Sequence, residues 1–162
     1  MQIAVAGLGE LVSGNRPDQV LVCYGLGSCV GLALHDPVAR VGVLAHVVLP
    51  DSRLGRGVPD RPGKFADTAV PAAIEEAVRL GAVPARLVAR IVGGARMLPV
   101  AGIPGMLDIG DRNVEAVQAA LARAGIRLIG QDTGGTYGRT VHFFVGTGRL
   151  MVSTVGRGER EL

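Results

Sequence analysis

One of the two cysteines of the chain, Cys29, follows a glycine-rich segment with the sequence YGLGSCV that begins at Tyr24, and His46 lies seventeen residues beyond it. The glycines let the backbone turn tightly, so a cysteine after them can sit at a strand end with free backbone N–H groups around it. Attack on an amide requires a thiolate, donors for the oxyanion and an acid for the departing amine. The pattern predicts Cys29 as nucleophile, His46 as proton-transfer partner, and Gly27 and Ser28 as residues that bind the substrate.

The nucleophile would need activation, because a free cysteine has a pKa of about 8.5 and is mostly protonated at neutral pH. An imidazolium beside the sulfur lowers that pKa, so we expect His46 to lower the pKa of Cys29. Spacing alone leaves a simpler interpretation open. A cysteine in an apolar strand is often an inert core residue, and a histidine in the sequence VLAHVV is often a buried structural one.

Four runs rich in Val and Leu precede and contain these residues, and their apolar positions are nearly continuous, which indicates strands buried on both faces. The segment His35-Asp36-Pro37 is a turn signal between the last two runs. If those strands are adjacent, that turn brings Cys29 and His46 together as a hairpin does. We predict these strands at residues 2–12, 19–23, 29–34 and 41–49.

Strands come in a block, then alternate with two helices and end in a hairpin, which favours a single α+β domain over residues 1–162 rather than a doubly wound parallel sheet. We expect a β-sandwich-like core of mixed sheets with two main helices outside. One helix carries an apolar stripe from Ala69 to Val78, and the other has Asp111 as its N-cap and Gly125 just past its end. We further predict loops at residues 51–63 and 93–110, strands at 86–92 and 126–129, a hairpin of 140–146 with 149–155, and a frayed tail at 156–162.

Composition excludes several classes of function. Hydrophobic residues make up 48% of the chain and the net charge is only +3. The arginines are scattered and aromatic residues are few, so we expect no nucleic-acid binding. No segment has the length of a membrane span, and two cysteines are too few for a secreted disulfide framework, so we expect a cytoplasmic protein without membrane insertion. The spacing of Cys23, Cys29, His35 and His46 matches no usual zinc pattern, and we expect no metal and no cofactor.

Several motifs together resemble the CheD family of chemoreceptor glutamine deamidases. They occur in order along nearly the whole chain. They are GLGSCV at 25–30, HDP at 35–37, AHVVLPDS at 45–52, KFADTA at 64–69, GGA at 93–95, IGDRN at 109–113 and DTGG at 132–135.

The resemblance implies a protein-glutamine glutaminase that hydrolyses glutamine side-chain amides of methyl-accepting chemotaxis receptors to glutamate, and that also accepts glutamyl methyl esters. It implies Cys29 as nucleophile and His46 as its partner. It also implies binding to the cytoplasmic domains of chemoreceptors and to a CheC-type phosphatase, and a fold related to cysteine-dependent deamidating toxins.

One residue departs from the family pattern. The family carries a threonine six residues before the nucleophile, whereas this chain has Cys23. Sulfur is a weak hydrogen-bond acceptor and would orient an imidazole poorly. Either a backbone carbonyl takes over, or activity is reduced, or the protein has become a non-catalytic module that binds receptors or a phosphatase. We expect reduced but surviving activity. A cysteine hydrolase acting on another amide or ester is a third hypothesis, and Cys23 is otherwise a small buried strand residue or a partner for a disulfide with Cys29.

Overall fold

The computed structural model describes residues 1–55, 61–97 and 108–162. No helix in these ranges is long and apolar enough to cross a membrane. The described elements, in chain order, are β1 (Gln2–Val5), β2 (Leu11–Gly14), β3 (Gln19–Leu26), β4 (Val30–Asp36), β5 (Val41–Val47), α1 (Ala66–Arg79), β6 (Val88–Gly93), α2 (Ile109–Arg123), β7 (Arg127–Thr133), β8 (Arg139–Phe144), β9 (Leu150–Thr154) and β10 (Gly158–Glu161).

The strands form two mixed sheets that pack face to face. The first sheet has the order β1-β3-β8-β9-β10 and the second has the order β2-β5-β4-β6-β7. Each sheet contains one parallel pair, β1 with β3 and β6 with β7, and its other pairs are antiparallel. Residues from both sheets share one buried cluster, for example Leu21 and Phe143 of the first sheet with Leu44 and Val92 of the second.

Both helices cover the other face of the second sheet. The small residues Ala69 and Ala73 of α1 and the longer Val117 of α2 belong to one buried cluster with Val43 and Val47 of β5. Every residue of β4 and β5 is therefore buried. This arrangement confirms the prediction of an α+β fold with continuous apolar strands buried on both faces.

Three predictions about local structure were wrong. Residues 2–12 are two strands in different sheets, because the chain turns at Gly9, whose φ of +77° suits a residue without a Cβ. The tail at 156–162 is not frayed, since β10 pairs with β9 and Leu162 packs on the inter-sheet cluster. The N-cap of α2 is Asp108, and Asp111 in the first turn instead forms an ion pair with Arg96.

Other predictions were confirmed. β4 and β5 form an antiparallel pair across the predicted turn at His35-Asp36-Pro37, and β8 and β9 form the predicted hairpin. Both helices lie where the apolar stripes indicated. The predicted loops at 51–63 and 93–110 fall in part outside the described residues.

Candidate active site

Cys29 lies in the short connection between β3 and β4 and is half-buried. The segment after β6 supports this connection from behind: the Gly94 N–H donates to the Cys29 carbonyl at 2.9 Å, and the Ala95 N–H donates to the Gly27 carbonyl at 2.8 Å. Gly93 has a φ of +115°, and a Cβ on it would lie 2.2 Å from the Cys29 carbonyl oxygen. Only glycine allows this close approach between the two backbones.

His46 lies on β5 directly opposite Gly31 of β4. Cys29, two residues before Gly31, packs against the inter-sheet cluster and so lies on the same side of this sheet as His46. Cys29 and His46 are thus diagonal neighbours, for which Cα atoms are typically about 7–8 Å apart and long side chains can meet. Gly31 places no side chain between them. The register places Cys29 and His46 at the same end of this strand pair, and their roles as a catalytic pair stay a prediction.

The imidazole of His46 is held by the backbone of the first sheet. Its Nδ1 lies 3.0 Å from the Ala6 carbonyl oxygen. A carbonyl only accepts, so Nδ1 carries the hydrogen and Nε2 of the neutral ring has a free lone pair. Nε2 is buried and has no hydrogen-bond partner among the described residues. The free nitrogen is the one that a proton acceptor for a thiol requires.

Cys23 lies beside Ala6 on the neighbouring strand, because the Ala6 N–H donates to the Val22 carbonyl and continues the parallel pairing of β1 with β3. Its side chain is fully buried in the inter-sheet cluster. Burial, with a smaller contribution from Cys29, raises the pKa of Cys23 to about 12. The acceptor for His46 Nδ1 is therefore the Ala6 carbonyl, which agrees with the expectation that a backbone carbonyl could take over.

Burial also raises the pKa of the Cys29 thiol. This direction is opposite to the lowering that the sequence led us to expect. The expected lowering assumed an imidazolium beside the sulfur, whereas burial disfavours the thiolate. Burial thus favours the neutral thiol over the thiolate, and the thiol proton must leave when the sulfur attacks.

Gly27 and Ser28 take part in backbone contacts around the nucleophile. Gly27 packs closely against the Met97 side chain, since a Cβ at position 27 would lie 2.8 Å from Met97 Cγ. The carbonyl oxygen of Ser28 accepts a hydrogen bond of 2.9 Å from Nδ2 of Asn113. Both residues are half-buried, as is Cys29.

Asn113 was not predicted as a site residue, because in the sequence it is most simply a residue near a helix start that could also line the site. It is fully buried near the start of α2, and its Nδ2 donates both to the Ser28 carbonyl and to the Val48 carbonyl, each at 2.9 Å. A signal was present in the sequence. Asn113 is four residues before Val117, so it lies on the apolar stripe of α2, where a polar side chain needs a reason.

No group of three or more His, Cys, Asp or Glu side chains in residues 1–55, 61–97 and 108–162 could hold a metal ion. The fold is a sandwich of two mixed sheets, with a half-buried thiol and a buried imidazole at one end. This arrangement defines a class of protein that is suited to acyl transfer through a cysteine.

Comparisons with known proteins identify the family. The family model described as CheD chemotactic sensory transduction matches residues 48–154. The chain is 63% identical to a probable chemoreceptor glutamine deamidase CheD of Symbiobacterium thermophilum over 161 residues, which is 99% of this chain and 98% of that protein. It is 48% identical to the chemoreceptor glutamine deamidase CheD of Thermotoga maritima over 156 residues, which is 96% of this chain and 94% of that protein.

The chain belongs to the CheD family. Among solved structures, the YfiH protein of Bacillus licheniformis matches with a TM-score of 0.45 and 17% identity, over 76% of this chain and 50% of that one.

Proposed function

We propose that this protein hydrolyses glutamine side-chain amides of chemoreceptors to glutamate and releases ammonia, with Cys29 as nucleophile and His46 as general base and acid. Its CheD relatives are named chemoreceptor glutamine deamidases. The observation that carries the proposal is Nε2 of His46, which has no hydrogen-bond partner in the part of the chain that the structure describes, lies on the same side as Cys29 and is oriented by the Ala6 carbonyl.

The first half of the reaction forms a thioester. The Cys29 sulfur attacks the amide carbon of the glutamine while the thiol proton moves to Nε2 of His46, which suits a thiol whose pKa burial has raised. The oxyanion that forms accepts hydrogen bonds from backbone N–H groups of the turn at Gly27, Ser28 and Cys29. Nε2 then gives the proton to the departing nitrogen, the carbon–nitrogen bond breaks, and ammonia leaves.

The second half hydrolyses the thioester. Neutral His46 takes a proton from a water molecule, the water oxygen attacks the thioester carbon, and the carbon–sulfur bond breaks. The proton returns from Nε2 to the Cys29 sulfur, and the side chain leaves as glutamate. Glutamyl methyl esters would follow the same steps with methanol as the leaving group.

Mass spectrometry of a chemoreceptor cytoplasmic fragment tests the proposal. We expect conversion of glutamine to glutamate with the wild type and none with Cys29→Ala or His46→Ala. His142→Ala is the matched control, because His142 lies on the outer face of the first sheet and is expected to keep activity. Conversion by Cys29→Ala at the wild-type rate would refute the assignment of the nucleophile.

A second candidate function is a binding module without catalysis, and the presence of Cys23 at the family's threonine position is the observation that favours it. Binding of the receptor fragment by wild type without any conversion would support this candidate.

We also propose a cytoplasmic location, a CheC-type phosphatase as a second partner, and a structural kinship with cysteine-dependent deamidating toxins. The location rests on two cysteines being too few for a secreted disulfide framework, and the other two proposals rest on the family resemblance.

A further inference from the structure

Asn113 joins the two strands of the candidate site at the point where their own pairing ends. The last paired residues of β4 and β5 on this side are Val30 and Val47. Just beyond them, Nδ2 of Asn113 donates one hydrogen bond to the Ser28 carbonyl and one to the Val48 carbonyl. Asn113 thus links the segment that holds Cys29 to the segment that holds His46, from a side chain on α2.

The hydrogen bond to Ser28 also fixes the peptide plane before Cys29. In a trans peptide the N–H points opposite to the carbonyl, so the Cys29 N–H is directed away from Asn113. The peptide plane after Cys29 is fixed as well, because its carbonyl accepts from the Gly94 N–H. With both planes fixed, the φ and ψ of Cys29 and the direction of its Cα–Cβ bond are determined.

The helix backbone that carries Asn113 is held by close packing. A Cβ on Gly110 would lie 2.5 Å from the Ala95 carbonyl oxygen and 2.6 Å from that of Gly94, so the first turn of α2 packs directly on the segment behind Cys29. The other side-chain atom, Oδ1 of Asn113, is buried and has no partner among the described residues. The unpaired oxygen costs stability, while the two Nδ2 hydrogen bonds satisfy the carbonyls of Ser28 and Val48, so the side chain is held by its contacts with the segments that carry Cys29 and His46.

We propose that Asn113 is a positioning residue that sets the orientation of the Cys29 sulfur and of the Cys29 N–H as oxyanion donor relative to His46. This inference rests on the proposed function for its link to turnover. A displacement of the nucleophile by about 1 Å can lower a rate about 100-fold. Loss of the Asn113 hydrogen bonds is expected to lower kcat about 10- to 100-fold and to leave KM unchanged, because the hydrogen bond from the Cys29 N–H to the oxyanion forms only in the transition state.

The test uses Asn113→Ala and Asn113→Asp, the second of which keeps the shape of the side chain but removes both donors when ionised. Asn15→Ala, at an exposed asparagine between β2 and β3, is the matched control. Two quantities are measured on each folded variant: kcat and KM for deamidation of a receptor fragment, and the pH profile of Cys29 alkylation by iodoacetamide with peptide mapping. The alkylation arm needs no receptor, so it remains decisive if the proposed deamidation fails.

We expect both Asn113 variants to lose kcat at constant KM and to shift the alkylation midpoint of Cys29 downward, toward an ordinary thiol, because the half-buried position is lost. Asn15→Ala should match the wild type in both measurements. An alkylation profile that is unchanged in both Asn113 variants would overturn the proposal, and so would variants that fail to fold altogether, since that result would show a purely structural role.

Discussion

Gly93 offers a direct test of how closely the nucleophile depends on the backbone behind it. In Gly93→Ala the new methyl group would lie 2.2 Å from the Cys29 carbonyl oxygen and 3.3 Å from the Cys29 carbonyl carbon. Backbone atoms cannot rotate away as a side chain can. Either the Cys29 peptide or the end of β6 must move, and the hydrogen bond from the Gly94 N–H to the Cys29 carbonyl is lost or lengthened.

Gly81→Ala is the matched control, because Gly81 has nearly the same φ, +111° against +115°, but nothing lies within 4 Å of its would-be Cβ. Both substitutions place a side chain on left-handed backbone, which costs about 1–3 kcal/mol of stability. Gly93→Ala adds an overpacking cost of roughly 1–3 kcal/mol and the loss of a hydrogen bond worth about 1 kcal/mol. We therefore expect Gly93→Ala to be less stable than Gly81→Ala by roughly 2–4 kcal/mol.

Urea unfolding followed by circular dichroism measures the free energies of unfolding, and it suits a chain without tryptophan. Deamidation of a receptor fragment measures kcat at a temperature where both variants are folded. We expect Gly81→Ala to keep the wild-type kcat and Gly93→Ala to lose about 10- to 100-fold. Equal stability and equal kcat in the two variants would refute the view that the segment after β6 holds Cys29 in place.

Three further predictions concern the surroundings of the site and the fold. In Cys23→Thr we expect only a small gain in kcat, because the Ala6 carbonyl already orients His46; a large gain in steady-state turnover would show that this carbonyl is not sufficient. Burial lowers the pKa of His35, so the folded protein binds a proton there less readily than the unfolded chain, and stability should fall as the pH drops below about 6.5. His35→Gln keeps a donor for the Val145 carbonyl and should lose less stability than wild type between pH 7.5 and 5 in chemical unfolding. An identical loss in both proteins would show that His35 does not cause the fall in stability. Deletion of residues 158–162 should cost more than about 1 kcal/mol in the same assay, because β10 would be lost from its pairing with β9, and an unchanged free energy of unfolding would mean that the tail contributes nothing.

Sequence reasoning located the elements whose signals are local. The nearly continuous apolar runs that became β4 and β5, the turn at His35-Asp36-Pro37 and the stripe of α2 are each contained in a few consecutive residues, so periodicity and turn chemistry were enough. The same signals were not enough at residues 2–12 and 158–162. There β1 and β2 pair with strands remote in sequence, β3 and β5, in two different sheets, and β10 joins the edge of the first sheet beside β9 although its sequence is polar.

The sequence by itself determined which residues are chemically able to act: a thiol after a glycine turn, and an imidazole on a strand that a short turn can bring alongside. The tertiary structure alone decided their surroundings. The Ala6 carbonyl that holds His46 and the buried environment that raises the pKa of Cys29 come from segments remote in sequence. So does the Asn113 amide that reaches the Ser28 carbonyl. A hydrogen-bond partner or a desolvated environment is a property of atoms that meet only on folding, and no local pattern of residue types encodes it.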